Sequence, residues 1–210
     1  MRVAILVNGS YGDYSFCDDI GQADFVICAD NGLTHAKKLG VMPNFIIGDF
    51  DSIKDNILDK YEQMGIDIKK LNPIKDETDT ECAITHAIEI GATHIVVYGG
   101  VGTRFDHSLA NVHLLSMALD KGVVAELRNE YNTISMINNS ITLGGQKDDI
   151  VSLLPFSFRV DGVCTKGLFY ALEDGVFELG KPYGVSNCMT ENVATITIKS
   201  GKLIVIKSRD

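Results

Sequence analysis

The chain has no tryptophan and only four prolines among its 210 residues. So little proline, with glycine at 20 scattered positions, excludes a collagenous repeat and a Pro-rich linker. Long apolar runs are missing too. None approaches the roughly 18 residues of a membrane span, and Val3 to Val7 is too short for the core of a signal peptide. These absences predict a cytoplasmic location and no membrane partner. Basic residues are the scarcer charge, 19 Lys and Arg against 28 Asp and Glu, for a net charge of -9. Binding to nucleic acid rests on neutralising phosphates with basic side chains, so nucleic acid is excluded as an expected partner. The five cysteines, Cys17, Cys28, Cys82, Cys164 and Cys188, are odd in number and widely spaced. No C-x-x-C pair suggests zinc or redox chemistry, and they read as buried thiols.

What is present is 45% hydrophobic and 22% charged, the composition of an ordinary globular protein. Short apolar runs at Val3–Val7, Phe25–Cys28, Phe45–Ile47, His94–Tyr98 and Val123–Leu127 alternate with segments of helical spacing near 31–39, 54–64, 77–90 and 107–121. A weaker run lies at Ile66–Ile68. This alternation predicts stacked βα units in an open, mostly parallel, Rossmann-like sheet over residues 1–128. From residue 129 to 210 helical periodicity disappears and short strands punctuated by Gly, Pro and Asn predict an all-β domain. In it Ala194, Ile196 and Ile198 alternate with polar residues before Ser200-Gly201, and Leu203–Ile206 follows, which predicts a C-terminal hairpin.

In an open parallel sheet, ligands sit beyond the carboxyl ends of the strands. The residues that follow the apolar runs here are acidic: Asp30-Asn31 after the second, Asp49-Phe50-Asp51 after the third, Asp76-Glu77-Thr78-Asp79 before the third helix, and Asp106-His107 after the fourth long run. Two ionised carboxylates about 4 Å apart repel by about 4 kcal/mol at an effective dielectric near 20, so a cluster of them takes up a proton or a divalent cation. Mg²⁺ suits the oxygen-only set and commonly bridges carboxylates to a substrate's phosphates. Asp49 and Asp51 share a face if their segment is extended, and Asp76 and Asp79 share one if the helix has begun. Bland readings stand beside these. Asp30, Asp76 and Asp106 serve equally as helix N-caps, and Asp49-Phe50-Asp51 alone is an ordinary Asx turn. Caps explain each loop, but not the surplus of acids in four successive loops.

Gly99-Gly-Val-Gly-Thr-Arg104 is a Gly-rich turn that can offer backbone N–H groups to phosphate, or simply make a tight turn. It matches neither a Walker loop nor the dinucleotide fingerprint, since position 105 is Phe. Lys75 and Arg104 either neutralise phosphate oxygens or balance neighbouring acids.

Taken together, Ala29-Asp-Asn-Gly32, Gly48-Asp-Phe-Asp-Ser52, Asp76-Glu-Thr-Asp79, Gly99-Gly-Val-Gly-Thr-Arg-Phe-Asp-His107, Ser152-Leu-Leu-Pro155, Thr165-Lys-Gly-Leu-Phe-Tyr170 and Gly184-Val-Ser-Asn187 resemble the blocks of the thiamine pyrophosphokinase family, in its order. The resemblance implies transfer of the pyrophosphoryl group of ATP to thiamine, with Mg²⁺, by a homodimer whose active sites lie at the subunit interface. It implies a nucleotide-binding catalytic domain over 1–128 and a thiamine-binding, dimerising β-sandwich over 129–210. It further implies Mg²⁺ on Asp49, Asp51 and Asp79. Asp30, Asn31, Asp76, Arg104, Asp106 and His107 would lie on the nucleotide side, and Thr78, Ser186 and Asn187 would contact thiamine. Asn31 stands where the family commonly has Gly, and Asn tolerates positive φ well. Without tryptophan, any aromatic partner of thiamine is Phe or Tyr.

Catalysis would then come from alignment of the thiamine hydroxyl on the β-phosphorus, with charge stabilisation by Mg²⁺, Lys75 and Arg104. Two rivals carry different expectations. A Mg²⁺-dependent phosphohydrolase with a phospho-aspartate at Asp49 releases phosphate without an acceptor. A non-catalytic nucleotide or cation sensor binds ATP and turns nothing over.

Overall fold

The apolar runs of the first half become strands β1 (Arg2–Leu6), β2 (Phe25–Ala29), β3 (Phe45–Gly48), β4 (Asp67–Lys70), β5 (His94–Tyr98) and β6 (Val124–Arg128). Between them lie helices α1 (Gly32–Leu39), α2 (Asp55–Gln63), α3 (Asp79–Glu89) and α4 (Phe105–Asp120), with two short 3-10 turns at Ser15–Cys17 and Ile20–Gln22. The structure is a computed structural model that describes residues 1–51 and 55–209. Ser52 of the Gly48–Ser52 block and position 54 of the second expected helix lie outside the described residues. The chain divides into two compact units, Met1–Glu130 and Tyr131–Asp210.

In the first unit every pairing is parallel and the strand order is β6-β5-β1-β2-β3-β4. After their first residues the interior strands are apolar because helices cover the sheet, and Ile5, Leu6, Ile27, Ile46, Ile47, Ile95 and Tyr98 are fully buried. The edge strand β4 reads Asp-Ile-Lys-Lys, a charged edge that discourages further pairing. The order departs from the 3-2-1-4-5-6 of a dinucleotide-binding fold. The chain builds outward from β1 to β4, then crosses to the other side of β1 to start β5. The direction of winding therefore reverses between β1 and β5, and at such a point the loops splay apart and leave a crevice.

The second unit holds β7 (Asn132–Ile137), β8 (Ser140–Gly144), β9 (Ile150–Pro155), β10 (Arg159–Lys166), β11 (Gly175–Glu178), β12 (Asn187–Cys188), β13 (Val193–Thr197) and β14 (Leu203–Ser208). Its strands pair antiparallel in the orders β12-β9-β14-β7 and β11-β10-β13-β8. One core joins the two sheets, with Val151, Leu153, Leu203 and Val205 from the first and Val160, Val163, Phe177 and Ile196 from the second. This is sheet-on-sheet packing.

The expected C-terminal hairpin does not form. β13 pairs with β8 and β10, whereas β14 pairs with β7 and β9 in the opposite sheet. Alternation told which faces are apolar, and both strands do bury that face; it carries no information about the partner strand. Between them Gly201 has φ +90, and a Cβ there would lie 2.6 Å from the Arg159 carbonyl oxygen, so the chain crosses between sheets through a turn that only glycine fits. The cysteines also need correcting: Cys17 and Cys28 are buried, but Cys82, Cys164 and Cys188 are only partly so.

Candidate active site

The loops at the carboxyl ends of β1, β2, β3, β4 and β5 enclose a cleft of about 680 Å³ at the reversal point. Asp30, Asp49, Lys75, Thr78, Asp79, Arg104 and His107 line it, bringing together residues from four loops separated by up to 77 positions in the chain. Asn31, Asp51, Asp76 and Asp106 do not line it. Glu77, inside the acidic Asp76–Asp79 block, does, and so do Asn8, Gly9, Ser10, Ser108 and Asn111, which the reading of the sequence did not place at the site.

Asp30 ends β2 in the left-handed region, φ 49, while Asn31 is helical at φ -68. The positive φ expected of Asn31 therefore belongs to its neighbour. Asn31 instead donates to Asn8 Oδ1 at 3.1 Å and accepts from Thr34 at 2.6 Å. The turn at Asp30 aims its carboxyl group over β3, and Gly48 makes room for it. Oδ1 of Asp30 is buried without a hydrogen-bond partner. Burial, a hydrogen bond shared with Asp79 and the charges of Asp79 and Asp49 raise the Asp30 carboxyl to about 7, against the opposing pull of Lys75.

Asp79 opens α3, and its Oδ1 accepts from Lys75 Nζ at 2.6 Å. Burial pushes this carboxyl up, but the hydrogen bonds with Asp30 and Lys75 outweigh it and hold it below the usual range. Lys75 is correspondingly raised: burial lowers it, and Asp79 more than compensates. The N-cap of α3 is Thr78, whose Oγ1 accepts from the Glu81 N–H at 3.1 Å. None of Asp30, Asp76 and Asp106 is a cap, because the N-cap positions fall on Asn31, Thr78 and Arg104. Asp76 precedes the helix, so it does not share a helical face with Asp79.

The segment Asp49-Phe50-Asp51 is not extended. Phe50 is buried in the core at φ 61, and the Asp51 N–H donates to Asp49 Oδ1 at 3.2 Å, an Asx turn. Sinking the Phe50 ring into the core leaves Asp49 on the cleft and Asp51 exposed outside its lining.

A hard divalent cation fits these groups. The donors are all oxygens, one buried oxygen has no partner, and repulsion among three carboxylates otherwise has to be relieved by a proton on Asp30. Among the described residues, no three His, Cys, Asp or Glu side chains are grouped closely enough to hold a metal alone. The arrangement suits Mg²⁺, which is commonly held by one or two carboxylates with water and substrate phosphates completing its shell.

On the β5 side the Gly-rich turn is clamped by α4. Asn111 Nδ2 donates to the Gly100 carbonyl at 2.7 Å, and the Gly102 N–H donates to Ser108 Oγ at 3.0 Å. The Gly99 N–H is occupied by the Arg128 carbonyl at 2.8 Å. Of this turn's amides, those of Gly99 and Gly102 are thus already engaged. Arg104 pairs with Asp106 at 2.6 Å on an exposed surface.

In the second unit Ser186 is exposed at φ 58, and its N–H donates to Ser152 Oγ at 3.0 Å. Asn187 is buried. Its side chain accepts from the Tyr170 N–H at 3.0 Å and donates to the Tyr170 carbonyl at 2.9 Å, which fixes the exposed pair Phe169 and Tyr170.

Residues 17–127 match the thiamin pyrophosphokinase catalytic domain, and residues 138–203 match the thiamin pyrophosphokinase vitamin B1 binding domain. The thiamine pyrophosphokinase of Bacillus subtilis (strain 168) is 28% identical over 187 residues, 88% of this chain and 87% of its own length. Thiamine pyrophosphokinase 1 of Arabidopsis thaliana is 31% identical over 178 residues, 78% of this chain and 65% of its own. The crystal structure of the Bacillus subtilis enzyme matches all of both chains with a TM-score of 0.87 at 26% identity. Thiamin pyrophosphokinase from Candida albicans, only 17% identical, shares the fold over 99% of this chain and 89% of its own with a TM-score of 0.81. A catalytic-domain match and a vitamin B1-domain match, in order along one chain, establish that this chain belongs to the thiamin pyrophosphokinase family.

Proposed function

We propose that the cleft binds the triphosphate of ATP with Mg²⁺ and transfers its pyrophosphoryl group to thiamine, giving thiamine pyrophosphate and AMP. The observation that carries this reading is the convergence of Asp30, Asp49 and Asp79 with Lys75 and Arg104 on one cleft of a chain in this family. Asp49 and Asp79, with Asp30 beside them, would hold the cation. Asp51 would join them if its carboxylate turned inward. When bound, Mg²⁺ supplies charge neutralisation at the phosphates. Lys75, released from Asp79, and Arg104, released from Asp106, would hold phosphate oxygens and stabilise the charge that develops as the β-phosphorus is attacked. Asn31, Asp76, Asp106 and His107 would flank the nucleotide.

The first domain, 1–128, would thus bind nucleotide and the second, 129–210, thiamine. Thr78 and, in a homodimer, Ser186 and Asn187 of the partner subunit would complete the thiamine site and align its hydroxyl. The cytoplasm is the proposed location; among the described residues no helix is long and apolar enough to cross a membrane. Neither rival activity gains support, since the matched relatives are named as pyrophosphokinases.

One assay tests the reading. Incubated with ATP and Mg²⁺, the protein should form AMP only when thiamine is added. Phosphate release without thiamine would replace the kinase by a hydrolase, and binding without turnover would leave a sensor.

A further inference from the structure

Residues Asn8, Gly9 and Ser10 form the wall of the cleft beyond β1, yet they have neither helix nor strand to hold them. The wall sits tight against the Gly-rich turn, for a Cβ on Gly9 would lie 1.9 Å from the Gly99 carbonyl oxygen. What fixes it comes from α1. Gly32 lets the helix touch the end of β1, because a Cβ there would meet the Leu6 carbonyl at 2.0 Å. From this close berth Asn31 and His35, four apart and so on one helical face, reach the wall and the segment that follows it. Asn31 donates to Asn8.

His35 is also sandwiched into the segment that follows the wall. Its ring stacks on Tyr11 with centroids 3.7 Å apart, and its Nδ1 lies 2.8 Å from the Tyr14 hydroxyl. Tyr11 in turn donates to the Val7 and Tyr98 carbonyls, at 3.2 and 2.6 Å, tying β1 to β5. Tyr14 sits at φ 65, a conformation that is unfavourable for a bulky residue and persists where its surroundings impose it. Burial and the charge of Lys38 lower the His35 pKa and favour the neutral ring. A neutral imidazole can either donate to or accept from the Tyr14 hydroxyl at Nδ1.

We propose that His35 is a positioning residue for nucleotide binding: it holds the Asn8–Ser10 wall in place through Tyr11 and Tyr14, which follow it, without touching the nucleotide. This rests on the reading of the cleft as the ATP site. It adds a residue that acts on ground-state binding of the nucleotide more than on the chemical step.

Two substitutions separate positioning from bulk packing. His35→Phe keeps the stacking on Tyr11 and removes the hydrogen bond with Tyr14, whereas His35→Gln keeps a group that can hydrogen-bond that hydroxyl. Loss of about one net hydrogen bond weakens binding about tenfold. Calorimetry with ATP and Mg²⁺ should therefore show a Kd raised about tenfold in the Phe variant and largely recovered in the Gln variant. In turnover, KM for ATP should follow Kd while kcat and KM for thiamine stay within about twofold. A Phe variant with wild-type Kd overturns the proposal, as does one in which Kd is unchanged and only the melting temperature falls. Absence of thiamine-dependent AMP in the wild type would instead sink the kinase reading, while calorimetry still reports on the wall.

Discussion

A Cβ on Gly48 would lie 2.1 Å from Oδ1 of Asp30. The missing side chain at the end of β3 is what lets the carboxyl group at the end of β2 lie flat across its neighbour and face Asp79. Gly48→Ala should therefore swing Asp30 away, while the buried Phe50 ring, 3.1 Å from the same Cβ, has to give by only a few tenths of an ångström. Displacing a cleft group by about 1 Å can cost about a hundredfold in rate. We expect that order of loss in thiamine-dependent AMP formation, with a circular dichroism melt close to wild type; unchanged turnover would show that the Asp30 position is not needed.

In the proposed reading Asp49 and Asp79 are the carboxylates that would hold the cation. Chelation of Mg²⁺ should abolish turnover, and restoring it should need more Mg²⁺ in Asp49→Asn than in the wild type. Asp79→Asn should do the same and also release Lys75. Each should lower kcat by about a hundredfold or more, the scale seen on removing one preorganised charge-stabilising group. Identical Mg²⁺ titrations in wild type and both variants would remove the metal assignment.

Away from the cleft, Asp19 accepts from the Tyr98 hydroxyl at 2.6 Å and from Arg128 at 2.7 Å, and also pairs with Arg2. Burial pushes the Asp19 carboxyl up, but these partners prevail and hold it below the usual range. A depressed carboxyl contributes stability that is present above the unfolded aspartate value, about 3.9, and is lost as pH falls through the folded value. Urea unfolding should show Asp19→Ala destabilised by about 2 kcal/mol at pH 7, toward the low side for a broken buried pair because Asp19 and its two arginines keep some exposure. The difference from wild type should shrink below pH 4. A gap that widens on acidification would contradict the sign.

Asn187 and Ser186 were singled out together, but the structure gives them different work. Asn187→Ala leaves the backbone N–H and carbonyl of Tyr170 without their partners, which should destabilise the protein by about 1–3 kcal/mol and raise KM for thiamine. Ser186→Ala keeps the hydrogen bond from its backbone to Ser152, so its melting temperature should hardly move, and any effect should fall on KM for thiamine alone. Equal thermal effects from both would refute the distinction.

The change from βα alternation to short β strands was legible because hydrophobic periodicity is a local property: a strand buried on both faces needs an unbroken apolar run, and one buried on a single face needs alternation. The acids after β2, β3 and β4 were legible for a related reason, since strand ends in a parallel sheet all point to one edge. Pairing was not legible. β13 and β14 have correct apolar faces whichever strand they join, and only the sandwich decides that they belong to opposite sheets. Nor was the conformation of Asp49-Phe50-Asp51, where burial of one phenyl ring turns the backbone and separates two carboxylates that a local reading places side by side.

What the sequence by itself determined, then, is the succession of elements and the chemical character of the strand ends, because both follow from the ordering of side chains along a few residues. Tertiary structure alone decided that Asp30 rather than Asn31 takes the left-handed turn, that Asp51 stays outside the cleft, that Asn8 to Ser10 line it, and that His35 stacks on Tyr11 just after them. Those outcomes depend on close approaches between distant segments, such as Gly48 beneath Asp30 and Gly32 against the end of β1, and such approaches are set by three-dimensional packing rather than by any spacing along the chain.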